Sequence, residues 1–298
     1  MKINNRVPKN LMSKAEKGEY IRKIPYPIDE MVAPLLDNDL KVNKKTNIIT
    51  MGSCFAQALY QWLVSNKYNV FPHKWGVVYN PQSIYQIISY SYNSDFWGPV
   101  EKFWFMKGKY RDPYRKSDDH KGPMVLGSEE SEAESTLKKH YKESHAALKK
   151  CDLLVLTYGL TEVWRNKTDK NCFYALPFPD IYDSNKHEFY NLTYDEVLMY
   201  TMYIINTTKE INPNINILFS VSPIPLSISF RDNLGPYIAT QYSKSVLHAV
   251  VHRVVNEYDN VYYMPSYEIV RSNPLKYYKE DGRHVNKEAI DTIMDVFV

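Results

Sequence analysis

Strand-like and helix-like segments alternate along most of the chain, and this alternation constrains the fold more than any other feature of the sequence. Four short runs rich in apolar and β-branched residues lie at 47–51, 152–159, 215–221 and 261–264. Helical periodicity covers about 194–211, 236–258 and 286–298, and begins again directly after the first run. The second run is almost continuously apolar, which is typical of a parallel strand buried on both faces. The pattern predicts the α/β class, with a central parallel sheet covered by helices and ligands bound beyond the carboxyl ends of the strands.

The remaining segments predict the domain organisation. Residues 1–45 are charged and interrupted by prolines, and we expect an N-terminal arm packed on the domain. Residues 46–298 then form a single α/β domain, which a chain of 298 residues has the core to support. The polar segments at about 94–134 and 165–186 are predicted to be insertions over the carboxyl edge of the sheet.

Charge and composition exclude several classes of ligand. The chain has 37 Lys and Arg against 34 Asp and Glu, a net charge of +3, which argues against nucleic-acid binding. Aromatic and basic residues interleave at 102–111, a pattern that could stack on bases but is better explained by a covering loop that stacks on sugars. The sequence has no glycine-rich phosphate-binding motif, so no nucleotide cofactor of that kind is indicated. The 26 tyrosines are better explained by genome composition than by a tyrosine-lined site.

Cysteines and apolar runs predict the compartment. Three cysteines without a C-x-x-C spacing predict a reducing environment and no disulfide framework. No run resembles a signal peptide or a membrane-spanning helix, so a cytoplasmic location is expected. His248 and His252 share a helix face at the spacing of zinc ligands, but no Glu follows the first His and no third ligand is indicated. The sequence therefore predicts no metal site.

The turn Gly52-Ser53-Cys54, between the first strand and its helix, is the strongest local signal of chemistry. A side chain there lies at the carboxyl edge of the sheet, and its N–H lies at a helix N-terminus, where a developing oxyanion is stabilised. Ser53 is therefore a candidate nucleophile, although a simple helix N-cap explains the same residue. Cys54 is intrinsically more nucleophilic, but neighbouring residues in such a turn point in different directions.

A nucleophilic serine needs a base, and His284 is the most suggestive one. Asp281 precedes it by three residues on a loop that enters the last helix. The carboxylate can accept from Nδ1–H and so leave Nε2 free to take the serine proton. Taken alone, the same pattern also describes a helix cap with a surface histidine.

Five ordered blocks resemble those of a known family. The first, Gly-Ser-Cys-Phe-Ala at 52–56, matches the motif from which the GSCFA family takes its name, and that family resembles the SGNH/GDSL esterases and acyltransferases. The others lie at 75–81, 158–164, 222–225 and 281–284, so the resemblance covers most of the chain. It implies a three-layer α/β/α, flavodoxin-like fold with inserted loops.

The resemblance also implies roles for individual residues. Ser53 would be the nucleophile, His284 its base and Asp281 the residue that orients the base. The Ser53 N–H and the Gly76 N–H would form part of the oxyanion hole.

The third block departs from the SGNH pattern of Gly-x-Asn-Asp, because this chain has Gly159-Leu160-Thr161-Glu162. The third oxyanion donor is then either the Thr161 hydroxyl or the Asn80 amide. Glu162 is either a substrate-orienting carboxylate or a solvated one.

The expected function is serine-dependent O-acyl transfer or ester hydrolysis, with O-acetyl groups on a carbohydrate or polysaccharide precursor as the favoured substrate. No bound cofactor is expected, and acetyl-CoA is the candidate acyl donor. The alternative is a carbohydrate-binding or scaffold protein without catalysis, suggested by the missing third-block asparagine. The sequence leaves open the acyl donor and acceptor, the choice between esterase and transferase, and the oligomeric state.

Overall fold

The computed structural model of the chain describes residues 40–72, 75–93, 98–117 and 122–297. Its strands are β1 (Ile48–Gly52), β2 (Trp104–Met106), β3 (Lys109–Lys116), β4 (Pro123–Gly127), β5 (Leu153–Tyr158), β6 (Glu162–Asn166), β7 (His187–Asn191), β8 (Asn216–Val221) and β9 (Val261–Met264). Its helices are α1 (Cys54–Ser65), α2 (Pro81–Tyr92), α3 (Glu130–Lys150), α4 (Tyr194–Ile211), α5 (Pro236–Glu257), α6 (Ser266–Ser272), α7 (Pro274–Tyr277) and α8 (Lys287–Phe297). Most of the predicted N-terminal arm lies outside the described residues.

Four parallel strands form the central sheet in the order β1-β5-β8-β9. On the free side of β1, Ile48 makes one further parallel bridge to Val70. If the segment at Val70 is counted as a short second strand and the strands are numbered in chain order, their order across the sheet is 2-1-3-4-5. This is the flavodoxin-like order. The predicted fold class is therefore confirmed.

Helices cover both faces of this sheet. Alternate strand residues such as Ile49 and Met51 pack with α2, α3, α4 and α5 in one buried cluster. Their neighbours, such as Ile48 and Val155, pack with α1, α6 and α8 in a second cluster. Because successive side chains of a strand point to opposite faces, a sheet whose strands are buried at nearly every position must have a helical layer on each side.

Helix α4 shows how closely local sequence can determine an element. It begins after Thr193, whose hydroxyl accepts from the Glu196 N–H, while the Glu196 carboxylate accepts from the Thr193 N–H. This reciprocal capping box satisfies two N–H groups that the first helical turn leaves free. The predicted helix over 194–211 is confirmed, as are the four predicted strands to within one residue at their starts and ends.

The interval predicted as an inserted segment at about 94–134 has more structure than expected. Its described part contains an antiparallel sheet, β2-β3-β4, and the start of α3. Helix α3 buries only about one residue per turn, including Ala133, Leu137 and Tyr141. So narrow an apolar stripe in a highly charged segment does not stand out in the sequence.

Among the described residues, no helix combines the length and apolar character needed to cross a membrane.

Candidate functional site

A cavity of about 460 Å³ lies beyond the carboxyl ends of the central strands. Ser53 follows β1, Gly159 follows β5 and Ser222 follows β8, and all three line it. Its wall is mainly apolar and aromatic, including Tyr79, Leu160, Val163, Trp164, Phe173, Tyr174, Leu176, Phe189, Ile224, Leu226, Ile228 and Phe230. A mostly apolar cleft with a few polar groups is the usual form of a small-molecule site.

The turn before Ser53 requires glycine. Gly52 has φ +139°, and a Cβ there would lie 2.3 Å from the Thr157 carbonyl oxygen. Any side chain at this position would both strain the backbone and collide with β5. Gly52 therefore allows β1 and β5 to stay paired up to the point where the chain turns into α1.

Ser53 is the N-cap of α1 and is only 2 % exposed. Its Oγ accepts from the Phe55 N–H at 3.2 Å and lies 3.1 Å from the Thr157 Oγ1. Its own N–H is directed to the Thr157 carbonyl oxygen, at 3.1 Å, and to the Thr157 Oγ1, at 3.0 Å. The capping explanation of Ser53 is thus correct as geometry, and it is compatible with a nucleophile because the residue also lines the cavity.

Asp281 and His284 form the predicted pair. The His284 Nδ1 lies 2.6 Å from one Asp281 carboxylate oxygen, and the other oxygen accepts from the N–H groups of Arg283 and His284, at 2.9 Å each. The hydrogen bond from His284, followed by these two backbone N–H groups, holds the pKa of Asp281 well below its usual value. An ionised Asp281 stabilises the Nδ1–H tautomer, which leaves Nε2 with a free lone pair.

The structure brings this pair to the edge of the cavity but does not join it to the serine. Arg283, the residue before His284, lines the cavity and donates from Nε to the Pro225 carbonyl oxygen at 3.3 Å. Within the described ranges, no hydrogen bond links His284 to Ser53, whose hydroxyl contacts Thr157 instead. Catalytic hydrogen bonds are often long or poorly aligned before substrate binds, so the arrangement is compatible with a triad.

Gly76 and Gly159 are both sites of close backbone approach. A Cβ at Gly76, which has φ +64°, would lie 2.4 Å from the Lys116 carbonyl oxygen. A Cβ at Gly159 would lie 3.1 Å from the Tyr79 carbonyl oxygen and 3.3 Å from the Ser53 Cβ. Gly159 therefore allows the third block to pack against Ser53, whereas Gly76 lies outside the cavity lining.

The two candidates for the third oxyanion donor have different surroundings. The Thr161 hydroxyl contacts Asn191 Oδ1 at 2.8 Å and Ser243 Oγ at 3.0 Å, and Thr161 is not part of the cavity lining. Asn80 lines the cavity and caps α2, and its Nδ2 donates one hydrogen bond, to Ser83 Oγ at 3.0 Å. Because an amide nitrogen carries two protons, Asn80 keeps one for a ligand, and the geometry favours it over Thr161.

Glu162 lines the cavity and is only 7 % exposed. One of its oxygens accepts from the Ser229 hydroxyl at 2.8 Å. The alternative that Glu162 is a solvated carboxylate is therefore wrong. A buried carboxylate in the wall is suited to accept hydrogen bonds from a substrate hydroxyl.

Cys54 also lines the cavity. Burial raises the pKa of its thiol, against the opposing effect of the charges on Arg283 and Lys244. Because the thiolate is the nucleophilic form, this environment argues against Cys54 as the attacking group.

Lys244 is a residue that sequence reasoning missed. It lies on α5 and is 2 % exposed, and its ammonium donates to the carbonyl oxygens of Gly159 at 2.7 Å and Ile224 at 3.0 Å. Burial lowers its pKa to about 7. Nothing local distinguishes it from a solvated helix lysine, because both of its partners come from other segments of the chain.

Residues 102–111 do not reach the cavity. Trp104 is buried and packs on Phe173, which does line it, so this hairpin supports the wall from behind. Among the described residues, three side chains that could bind a metal ion together also lie away from the cavity: His248 and His252 on α5, and Glu268 on α6.

Residues 47–297 match the model of the GSCFA family, and the chain belongs to that family. No curated protein matches its sequence.

Three solved structures illustrate what the chain is similar to. A family 3 carbohydrate esterase from Clostridium thermocellum is 13% identical, with a TM-score of 0.35 over 85% of this chain and 94% of that one. A family 3 carbohydrate esterase from Talaromyces cellulolyticus is 8% identical, with a TM-score of 0.39 over 84% and 93%. The periplasmic domain of a lipopolysaccharide acetyltransferase from Salmonella ser. Paratyphi A is 13% identical, with a TM-score of 0.36 over 89% and 86%. Similarity at this level does not assign an activity.

Proposed function

We propose that the protein catalyses serine-dependent O-acyl transfer or ester hydrolysis, with O-acyl groups on a carbohydrate as the substrate class. The observation that carries the proposal is the convergence on one cavity of Ser53, which lines it, and the turn that holds the Asp281–His284 pair, whose Arg283 also lines it. Serine, histidine and aspartate are the three side-chain types that acyl transfer through a serine requires.

The proposed reaction begins with transfer of the Ser53 hydroxyl proton to His284 Nε2 while Oγ attacks the acyl carbonyl carbon. Asp281 holds the Nδ1–H and stabilises the imidazolium that forms. Collapse of the tetrahedral intermediate breaks the bond to the leaving group, which takes the proton from His284. Water or an acceptor hydroxyl then attacks the acyl-serine by the same steps in reverse order. The first step requires Ser53 Oγ to exchange its contact with Thr157 for one with His284.

The Asn80 amide is proposed as an oxyanion donor, because it lines the cavity with one uncommitted proton. The negatively charged Glu162 and the positively charged Arg283 are both proposed to bind polar groups of the acceptor. The apolar and aromatic wall suits the acyl group and the apolar faces of a sugar ring. Acetyl-CoA is the proposed donor for transfer, and a cytoplasmic location remains a prediction.

A second function is favoured by one specific observation. The Ser53 N–H and Oγ both have partners on Thr157, so the nucleophile is held as a helix cap in this arrangement. If Ser53 keeps these contacts with Thr157 when ligand binds, the protein would bind carbohydrate in the same cavity without catalysis.

Covalent labelling separates the two functions. A fluorophosphonate probe should label the wild-type protein stoichiometrically, and Ser53→Ala should abolish labelling because no other activated hydroxyl is proposed. Cys54→Ala is the matched control, since it alters the adjacent cavity residue, and it should label like the wild type. Absence of labelling in well-folded wild type would favour the binding protein, and loss of labelling in Cys54→Ala alone would mean that the nucleophile is wrongly assigned.

Transfer and hydrolysis are distinguished by following CoA release from acetyl-CoA with and without candidate sugars, beside hydrolysis of p-nitrophenyl acetate. Stimulation of CoA release by a sugar would establish transfer. Rapid p-nitrophenyl release with no response to sugars would establish an esterase.

A further inference from the structure

Two histidines and a glutamate meet on the outer side of α5, away from the cavity. His248 and His252 lie one turn apart on that helix, with ring centroids 5.9 Å apart. Glu268 comes from α6, beyond the end of β9. One potential ligand atom from each of the three lies within 4.8 Å of the other two.

We propose that His248, His252 and Glu268 form a binding site for a divalent zinc ion that fastens α5 to α6. The site is independent of the proposed acyl-transfer chemistry, because it uses none of the same residues.

The distances suit zinc. Bonds of about 2.0–2.2 Å at the tetrahedral angle place neighbouring ligand atoms about 3.3–3.6 Å apart. The His248 Nε2 lies 3.3 Å from one Glu268 oxygen, so this edge of the tetrahedron is already formed. His252 is exposed, and its ligand atom lies within 4.8 Å of those of His248 and Glu268, so zinc binding requires its side chain to move closer. Two nitrogens and one carboxylate oxygen are a common zinc donor set that leaves the fourth position to water.

The charges also suit a cation. Within the described ranges, no Lys or Arg forms an ion pair with Glu268. A zinc ion would supply the positive charge that this partly buried carboxylate lacks.

Tyr263 provides the support that metal ligands usually have. Its hydroxyl lies 2.8 Å from both Glu268 oxygens and 3.0 Å from the His248 Nε2. Its one proton can serve only one of these acceptors at a time. Zinc bound to His248 Nε2 would displace the phenol from that nitrogen, and the phenol would then donate to the Glu268 carboxylate alone and orient it.

Zinc binding is measured on untagged, chelator-treated protein with zinc ions alone, by competition with a chromophoric chelator, and by the visible absorption of Co²⁺ as a reporter of tetrahedral geometry. We expect one ion per chain and an intense tetrahedral Co²⁺ spectrum. Zinc should also raise Tm, by about 5 °C at a hundredfold excess over Kd.

Variants assign the ligands. His252→Ala alters an exposed side chain, and Glu268→Gln keeps the shape of the side chain, so both should fold. Each should weaken zinc binding by more than about 100-fold and remove the Tm shift, whereas Tyr263→Phe should weaken it by about 10- to 100-fold. His145→Ala, a helix histidine on α3, and Ser53→Ala are the controls, and both should bind zinc like the wild type.

Two results would overturn the proposal. One is wild-type protein that binds no zinc at micromolar concentration, in which case the cluster is a hydrogen-bonded network only. The other is binding that His252→Ala and Glu268→Gln leave unchanged, which would place the ion elsewhere.

Discussion

At the scale of single residues, the site depends on positions where the backbone admits no side chain. Gly52 allows β1 and β5 to stay paired up to Ser53, and a Cβ at Gly159 would lie only 3.3 Å from the Ser53 Cβ. The atoms that exclude a Cβ at these two positions come from distant segments of the chain.

Gly52→Ala should lower the free energy of unfolding by at least about 2 kcal/mol, because the new Cβ combines an unfavourable φ with a backbone collision. Denaturant unfolding measures the effect. Gly235→Ala is the matched control, since no atom lies within 4 Å of a Cβ placed there, and as a change at the N-cap of α5 it should cost no more than about 1 kcal/mol. Equal effects of the two changes would contradict the close packing at Gly52.

Asp281→Asn should lower kcat/KM by at least about 100-fold with little loss of stability. An amide can donate to His284 Nδ1, which favours the tautomer that has no lone pair on Nε2. Initial rates with p-nitrophenyl acetate measure the change. Glu280→Gln, which removes the neighbouring exposed carboxylate, should retain wild-type rates, and an equal loss in both variants would show that Asp281 acts only through the net charge of the loop.

At the scale of elements, α5 is fastened to the cavity wall by a buried lysine. The Lys244 ammonium holds the carbonyl oxygens of Gly159 and Ile224, which follow β5 and β8. No carboxylate pairs with it in the part of the chain that the structure describes. The charge is therefore stabilised only by backbone dipoles, and burial lowers the pKa of Lys244 to about 7.

This pKa predicts how stability depends on pH. Between about pH 7 and 10.5, the unfolded chain keeps the Lys244 proton while the folded protein releases it, so the free energy of unfolding should rise with pH by up to about 1.4 kcal/mol per unit. Lys244→Met removes this contribution. The difference in stability between wild type and Lys244→Met, measured by urea unfolding across this range, should therefore grow in favour of wild type. A constant difference would mean that Lys244 stays protonated when folded.

The same helix shows why the candidate zinc site could not be predicted. His248 and His252 were visible in the sequence at the correct spacing, but Glu268 lies beyond β9 on another helix. A ligand set that spans two elements depends on how those elements pack. Sequence spacing detects such a set only when its ligands follow a characteristic separation along the chain.

At the scale of the whole molecule, the parallel sheet and its buried strands could be predicted because their signals are local. Runs of apolar residues, caps such as Thr193 and the ordered blocks each carry their information within a few residues. The antiparallel strands β2, β3 and β4 could not, because the longest of them, β3, is charged and contains a proline, and all three are stabilised by their partners and by tertiary packing.

The sequence by itself determined the α/β class, the positions of the central strands and the identity of the Asp281–His284 pair. Only the tertiary structure decided that the Ser53 hydroxyl contacts the Thr157 hydroxyl and that Glu162 is buried in the cavity wall. It also decided that the Thr161 hydroxyl donates its proton to Asn191, whereas the Asn80 amide keeps a proton for a ligand. The physical reason is range: hydrogen bonds along a turn or helix are set by neighbours in the chain. Burial and the sharing of donors at a site are set by side chains that meet only when the layers pack.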